Sequence, residues 1–219
     1  MTDHADDRTA IVAAYRELDR LGYVTGSAGN LSVRTRAGML ITPTGIGAPQ
    51  LTPGQVVPVT LDGTVTGDFA PSSEWQLHGE IYRLVEGAGA IVHTHADACV
   101  ALACLGEPLP AFHYTIAAFG ADAVPLVPYS TFGSLELAKA TGATLRDCSA
   151  CLLANHGMVV RGRTMAAAVA AAIRLETLAR QYLLARSAGT VRLLTTAQMA
   201  DARARFTTYG QQPGRPAGH

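Results

Sequence analysis

The chain has 219 residues, 48% of them hydrophobic, and its 17 Lys+Arg balance 17 Asp+Glu. That is one large domain or at most two small ones, and a neutral chain without a basic run excludes electrostatic binding to nucleic acid or to an anionic membrane. The start, MTDHADDRTA, is too acidic for a signal peptide, and the longest apolar run, MAAAVAAAI at 165–173, falls short of the roughly 20 residues that span a bilayer, so a cytoplasmic protein with no membrane partner is expected.

In chain order, Ile11, Tyr15, Leu18 and Leu21 recur at helical spacing over residues 6–21, and Gly22 follows as a stop. GSAGNLSVRT, GMLITPTGIG and QVVPVTLDGTVTG predict short strands separated by Gly and Pro turns. PSSEWQLHGEIYRLVEG predicts a helix with Leu77, Ile81, Leu84 and Val85 on one side and a capping box from Ser73 to Gln76. AIVHTH predicts a strand, ADACVALACLG a short helix, DAVPLVPY an extended segment and SLELAKATGATLRD a further helix. ACLLANHGMVVRG predicts a strong strand, TMAAAVAAAIRLETLARQYLLARSAG a long Ala-rich helix and AQMADARARFTTYG a last short one. QQPGRPAGH is expected to be a disordered tail over 211–219, leaving a single domain over 1–210. Intermixed helices and strands place the chain in the α/β or α+β class, one sheet covered by helices. Cys148 and Cys151 form a lone C-x-x-C, and with Cys99 and Cys104 they are read as buried or half-buried free thiols in a reducing compartment.

The chemistry starts at residues 90–100, AIVHTHADACV. Residues two apart on a strand point to one face, so His93 and His95 converge while Thr94 turns away. Such a pair is either two core histidines bonded to carbonyls or half of a metal site. His156, inside LLANHGMVV, supplies a third imidazole in an apolar segment where an unpaired polar ring is costly. Three histidines with one open position form the catalytic rather than the structural pattern of zinc. His78 and His113 are read as structural, His4 and His219 as terminal bystanders. Gly and hydroxyl chemistry recurs at GSAGN (26–30), TPTG (42–45) and Ser72–Ser73, where neutral donors and a helix N-terminus favour an anion, although each is also ordinary turn or cap chemistry. No lysine or arginine lies within these pieces, although Arg34 follows closely. Glu74 is either a carboxylate attracted by the helix dipole or a base or ligand beside the metal.

GSAGNLSVR, MLITPTGI, PSSEWQLH, VHTHA, FHYTIAAFGA, PYSTFG, NHGMV and RFTTYG occur in this order. Together they resemble the class II aldolase/adducin family, over about residues 8–210. The resemblance implies a three-layer α/β/α domain with a mostly antiparallel central sheet, one Zn2+ per subunit on His93, His95 and His156, and Glu74 as acid/base and as a further ligand when no substrate is bound. It implies a phosphate pocket of Asn30, Thr44, Gly45, Ser72 and Ser73, with Ser27 nearby. Tyr114, reaching in from a neighbouring subunit, would protonate the aldehyde oxygen, with Phe132, Phe206 and Tyr209 around the aldehyde end. The partners implied are a small phosphorylated sugar and three further copies of the chain, as a homotetramer with sites between subunits.

The activity implied is reversible cleavage of L-fuculose 1-phosphate, or a related ketose 1-phosphate, to dihydroxyacetone phosphate and L-lactaldehyde or a related aldehyde. Zinc would act as Lewis acid for the enediolate, and no lysine in the motifs offers a Schiff base. L-Ribulose-5-phosphate 4-epimerases resemble a pattern with Asp in place of Glu74 and without Tyr114, and both departures favour the aldolase. A methylthioribulose-phosphate dehydratase and an aldolase for another deoxypentulose 1-phosphate stay open. A non-catalytic adducin-like protein is disfavoured because the three histidines and Glu74 are all present.

Overall fold

The computed structural model describes residues 4–206; Tyr209, His219 and the tail expected over 211–219 lie outside the described residues. In chain order the elements are α1 (Ala5–Arg20), β1 (Asn30–Arg34), β2 (Gly38–Ile41), β3 (Val57–Thr60), α2 (Trp75–Leu84), β4 (Ala90–Thr94), α3 (Asp97–Cys104), β5 (Leu126–Val127), α4 (Leu135–Thr144), β6 (Ala150–Leu153), β7 (Gly157–Gly162), α5 (Met165–Ala188) and α6 (Thr196–Phe206). Short 3-10 turns stand at Pro53–Gln55 and Tyr114–Phe119.

The strands form one seven-stranded sheet in the order β3-β2-β1-β4-β7-β6-β5. Only the β5–β6 pair is parallel; every other pairing is antiparallel. β4 lies at the centre and is buried along its whole length, because helices cover both faces of the sheet.

The period-2 alternation of the strands sorts two cores. Leu31, Leu40, Ala90, Val92, Leu152, Met158 and Val160 point toward α1, α3 and α5, meeting Ile11, Leu18, Leu102 and Leu175. Met39, Ile41, Val57, Ile91, Cys151, Leu153 and Val159 point the other way, against Leu77 and Ile81 of α2 and Leu137 of α4. Each such Leu, Ile or Val side chain, once fully buried, contributes about 1.5–3 kcal/mol of transfer free energy. The result is a three-layer α/β/α fold with a mostly antiparallel sheet, as the family resemblance implies. The Ala-rich α5 buries Ala168, Ala172, Leu175 and Ala179, and among the described residues no helix is long and apolar enough to cross a membrane.

Four local expectations are corrected. The run at 150–162 is two strands, with a hairpin of Ala154, Asn155 and His156 between the Leu153–Gly157 pair. Apolar residues on both sides conceal the turn, which Asn155 makes by adopting φ 54. The capping box from Ser73 is absent: α2 begins at Trp75 with Glu74 at its N-cap, and the Ser72 hydroxyl instead accepts the Glu74 N–H at 3.3 Å. Leu84 lies at the exposed end of α2 rather than beside Leu77 and Ile81. All four thiols are free, but Cys104 is exposed while the other three are buried.

Candidate active site

His93 sits in β4 with Ile91 on the α2 side of the sheet, and His95 follows just past the strand end. The β6–β7 hairpin carries His156 to the same place. Two glycines allow these close approaches. A Cβ on Gly157 would come within 2.4 Å of the Thr94 carbonyl oxygen, and one on Gly29, which has φ +76, within 2.8 Å of the His93 carbonyl oxygen. Glycine is therefore required on either flank of β4 for the neighbouring chain to reach the histidines.

The three rings form a closed triangle with centroids 4.7–4.9 Å apart and near-perpendicular planes. One nitrogen from each lies within 4.8 Å of the others, the only such His/Cys/Asp/Glu cluster among the described residues. The His93 Nδ1–H donates to the Met158 carbonyl at 2.9 Å. A carbonyl only accepts, so that tautomer of a neutral His93 presents the lone pair of Nε2 inward, 3.1 Å from His95 Nε2. Converging imidazole lone pairs with one side open form the donor set of a divalent metal.

Glu74 closes the remaining side. Its Oε2 accepts from Asn30 Nδ2 at 3.0 Å and lies 3.1 Å from His93 Nε2. Its buried Oε1 has no hydrogen-bond partner and stands 3.6 Å from His156 Nε2. An orphaned carboxylate oxygen, 5% exposed as part of its residue and aimed at an imidazole cluster, fits a bound cation or a transferable proton. Burial opposes ionisation of Glu74, but His93, His156 and Asn30 outweigh it and hold the carboxyl well below the usual range. Burial also opposes protonation of His93, but Glu74 and the Met158 carbonyl outweigh it and raise that pKa. Burial and the neighbouring His93 depress both His95 and His156 to about 4. His95 and His156 are thus neutral and ready to ligate at pH 7, while Glu74 favours the protonated form of His93 in the metal-free site.

His95 and His156 of the cluster line a cleft of about 430 Å³, with His93 buried behind them. Ser27, Asn30, Thr44, Gly45, Ser72 and Ser73 line it beside Glu74, His95 and His156. Phe132 stands at its edge, 66% exposed. Arg34, close in sequence to the GSAGN turn, does not line it: its guanidinium is spent on the carbonyls of Tyr82, Val85 and Ala88. Among the described residues that line this cleft there is no lysine or arginine, so the donors offered to a phosphate there are neutral.

Tyr114 and Phe206 lie elsewhere. They stack on one another, with centroids 6.3 Å apart, in a separate groove shared with Arg174 and Gln198. One chain alone does not bring them to the histidines. His113 caps the 3-10 turn by accepting from Thr115 N at 3.2 Å, and His78 is wholly buried. Tyr129, Ser130 and Asn155 also line the cleft; the sequence reading assigns them no role, although PYSTFG and NHG, which contain them, are among its motifs.

Residues 9–183 match the Class II Aldolase and Adducin N-terminal domain. The chain is 41% identical over 213 residues to a 5-methylthioribulose-1-phosphate/5-deoxyribulose-1-phosphate aldolase from Rhodospirillum rubrum, covering 96% of both proteins. It is 40% identical over 201 residues to an L-fuculose phosphate aldolase from Haemophilus influenzae, covering 91% of this chain and 93% of that protein. A solved structure of an L-fuculose 1-phosphate aldolase superposes with a TM-score of 0.88 at 33% identity, over 92% of this chain and 96% of that one.

Proposed function

Since the chain belongs to the class II aldolase/adducin family, we propose that it is a zinc-dependent aldehyde-lyase cleaving a ketose 1-phosphate to dihydroxyacetone phosphate and a short aldehyde. The observation that carries this is the His93–His95–His156 triangle faced by the orphaned Glu74 oxygen beside a cleft lined with neutral donors. The substrate is L-fuculose 1-phosphate or a 5-deoxypentulose 1-phosphate, and relatives acting on each are similar at 40% and 41% identity. Both keep the same phosphorylated half and differ in the aldehyde released.

A divalent ion held by the three histidines supplies the electron sink for the carbanion that carbon–carbon cleavage leaves. The rest is done by the chain. Ser72, Ser73, Thr44, Gly45 and Asn30, with Ser27 nearby, orient the phosphate through hydroxyl and backbone donors, so that binding energy from the non-reacting end positions the reacting carbons. Glu74 returns a proton to the carbanion carbon through its unpaired Oε1, and removes that proton in synthesis. In synthesis, Tyr114 of the partner subunit protonates the aldehyde oxygen; Tyr114 is 58% exposed in the single chain, as a residue used across an interface would be. Phe132 at the edge of the cleft and Phe206 of the partner subunit would flank the aldehyde; Tyr209, which the family resemblance adds to them, lies outside the described residues. This reading requires an assembly in which sites lie between subunits, a homotetramer.

A coupled assay for dihydroxyacetone phosphate decides it. The panel is L-fuculose 1-phosphate, 5-deoxyribulose 1-phosphate and 5-methylthioribulose 1-phosphate, with L-ribulose 5-phosphate as control. Release from one of the first three, lost on chelation and restored by zinc, is expected. No release from any of them overturns the reading.

A further inference from the structure

His78 was read as a structural histidine, yet its hydrogen bonds lead to Glu74. The path runs Tyr82, Ser32, His78, Asn30, Glu74, and every member is buried. Its chemistry determines each donor. The Glu74 carboxylate only accepts, so the atom 3.0 Å from Oε2 is the Asn30 amide nitrogen, and the Asn30 carbonyl oxygen faces away. That oxygen also only accepts, so His78 Nε2, 2.6 Å away, carries a proton. Burial depresses the His78 pKa to about 3, so the ring is neutral and its Nδ1 is bare. Nδ1 accepts from the Ser32 hydroxyl at 2.6 Å, which in turn accepts from the Tyr82 phenol at 2.8 Å. All four donors point the same way, toward Glu74.

The chain of bonds anchors in the frame. Tyr82 and His78 lie one helical turn apart on α2, and Asn30 and Ser32 lie two apart on β1, so both pairs face each other across the helix–sheet contact. The guanidinium carbon of Arg34 sits 4.8 Å from the centre of the Tyr82 ring. An amide does not readily relay a proton, so the network cannot serve as a proton path. What it controls is which end of Asn30 meets the carboxylate. A flipped Asn30 would set its oxygen against Glu74 Oε2, and His78 would then have no acceptor for its Nε2–H.

We propose that His78 is a positioning residue for catalysis: its Nε2–H locks the Asn30 amide with nitrogen on Glu74, which holds Oε2 and leaves Oε1 as the working oxygen. This goes beyond a phosphate-binding role for Asn30 and rests on the aldolase reading for its kinetic test.

The test uses the full-length, zinc-loaded protein. His78→Leu is expected to lower kcat by about 10- to 100-fold, the usual cost of removing a group that orients a site residue, with KM and zinc content unchanged. His78→Gln, whose amide nitrogen can donate to Asn30 Oδ1, should recover most of that loss. Asn30→Ala combined with His78→Leu should be no slower than Asn30→Ala alone. Independently of turnover, long-range proton–nitrogen spectra of histidine-labelled protein should show His78 as the neutral Nε2–H tautomer, assigned by its loss in His78→Gln. An Nδ1–H tautomer, wild-type kcat in His78→Leu or additive losses in the double variant would overturn the proposal. If His78→Leu fails to fold, the wild-type spectrum and the kcat of His78→Gln decide. A wild-type protein inert toward the whole ketose panel would sink the aldolase reading instead, and the tautomer would still judge the network.

Discussion

Gly157→Ala tests whether the hairpin approach builds the metal site. The added Cβ would stand 2.4 Å from the Thr94 carbonyl oxygen and 3.1 Å from His95 Cδ2. Carbon–oxygen contacts settle near 3.3 Å, so β4 and β7 must part locally by roughly 1 Å. Thr94 cannot swing aside, because it is backbone held in register with Met158. Overpacking of this kind costs about 1–3 kcal/mol. For a chain of this size that is a fall in Tm of roughly 2–12 °C. The same displacement carries His156 away from His93 and His95, whose facing nitrogens are only 3.1 Å apart. A misplacement of about 1 Å in such a constellation costs on the order of 10²-fold in rate. Differential scanning fluorimetry of the metal-free protein reads the first effect, and competition against a zinc chelator reads the loss of affinity. Gly54→Ala is the control, since a Cβ there meets nothing within 4 Å. Wild-type Tm together with wild-type zinc affinity in Gly157→Ala would refute the argument that this approach is what assembles the three nitrogens.

Glu74→Gln should retain zinc by elemental analysis and lose at least ~10²-fold in kcat; near-normal turnover would return Glu74 to a mere partner of the helix dipole. Ser73→Ala removes a neutral donor from the cleft and should raise KM about 10-fold or more, the scale of one hydrogen bond to a charged group, with little change in kcat. If Tyr114 acts across subunits, mixing inactive Glu74→Gln with inactive Tyr114→Phe should restore about a quarter of wild-type turnover, the statistical share of interfaces with both groups intact. No recovery in demonstrably mixed assemblies would place Tyr114 at the site of its own chain, and near-normal turnover of Tyr114→Phe alone would place it outside the reaction. The fourth concerns pH. His78 has its folded pKa depressed to about 3 from an ordinary 6.5, so the unfolded chain takes up the proton first. The stability of the neutral ring is fully present above pH 6.5 and is lost as pH falls toward 3. Metal-free His78→Gln should therefore lose stability less steeply than wild type between pH 4 and 6, by about 1.4 kcal/mol per pH unit, in urea titrations. Parallel slopes would show that His78 is not held neutral.

Much of the site was legible from local pattern. Alternation in AIVHTH aims His93 and His95 at one face, whatever the rest of the fold does. The apolar setting of His156 and the hydroxyl-rich turns pointed to the same chemistry, because polar groups in such places require a partner. The order of the motifs carried the family and with it the three-layer expectation. Local pattern failed where two signals overlapped. Asn155 turns the chain inside an otherwise unbroken apolar run, and strand periodicity on both sides concealed it. Ser73 has the spacing of a capping box, but the bridge pairing Pro43 with Pro71 brings the chain in so that Glu74 becomes the cap residue.

The sequence alone determined which side chains carry the chemistry, because residue type and two-residue spacing are local properties. Only the tertiary structure decided what each of them faces. Glu74 lies 44 positions from Asn30, and His93 lies 65 from Met158, yet those contacts fix the carboxylate and the tautomer. His78 looks like any core histidine until β1 and α2 pack and set its proton against Asn30. Hydrogen-bond direction depends on which acceptor sits opposite each donor, and that is settled only when distant segments of the chain meet.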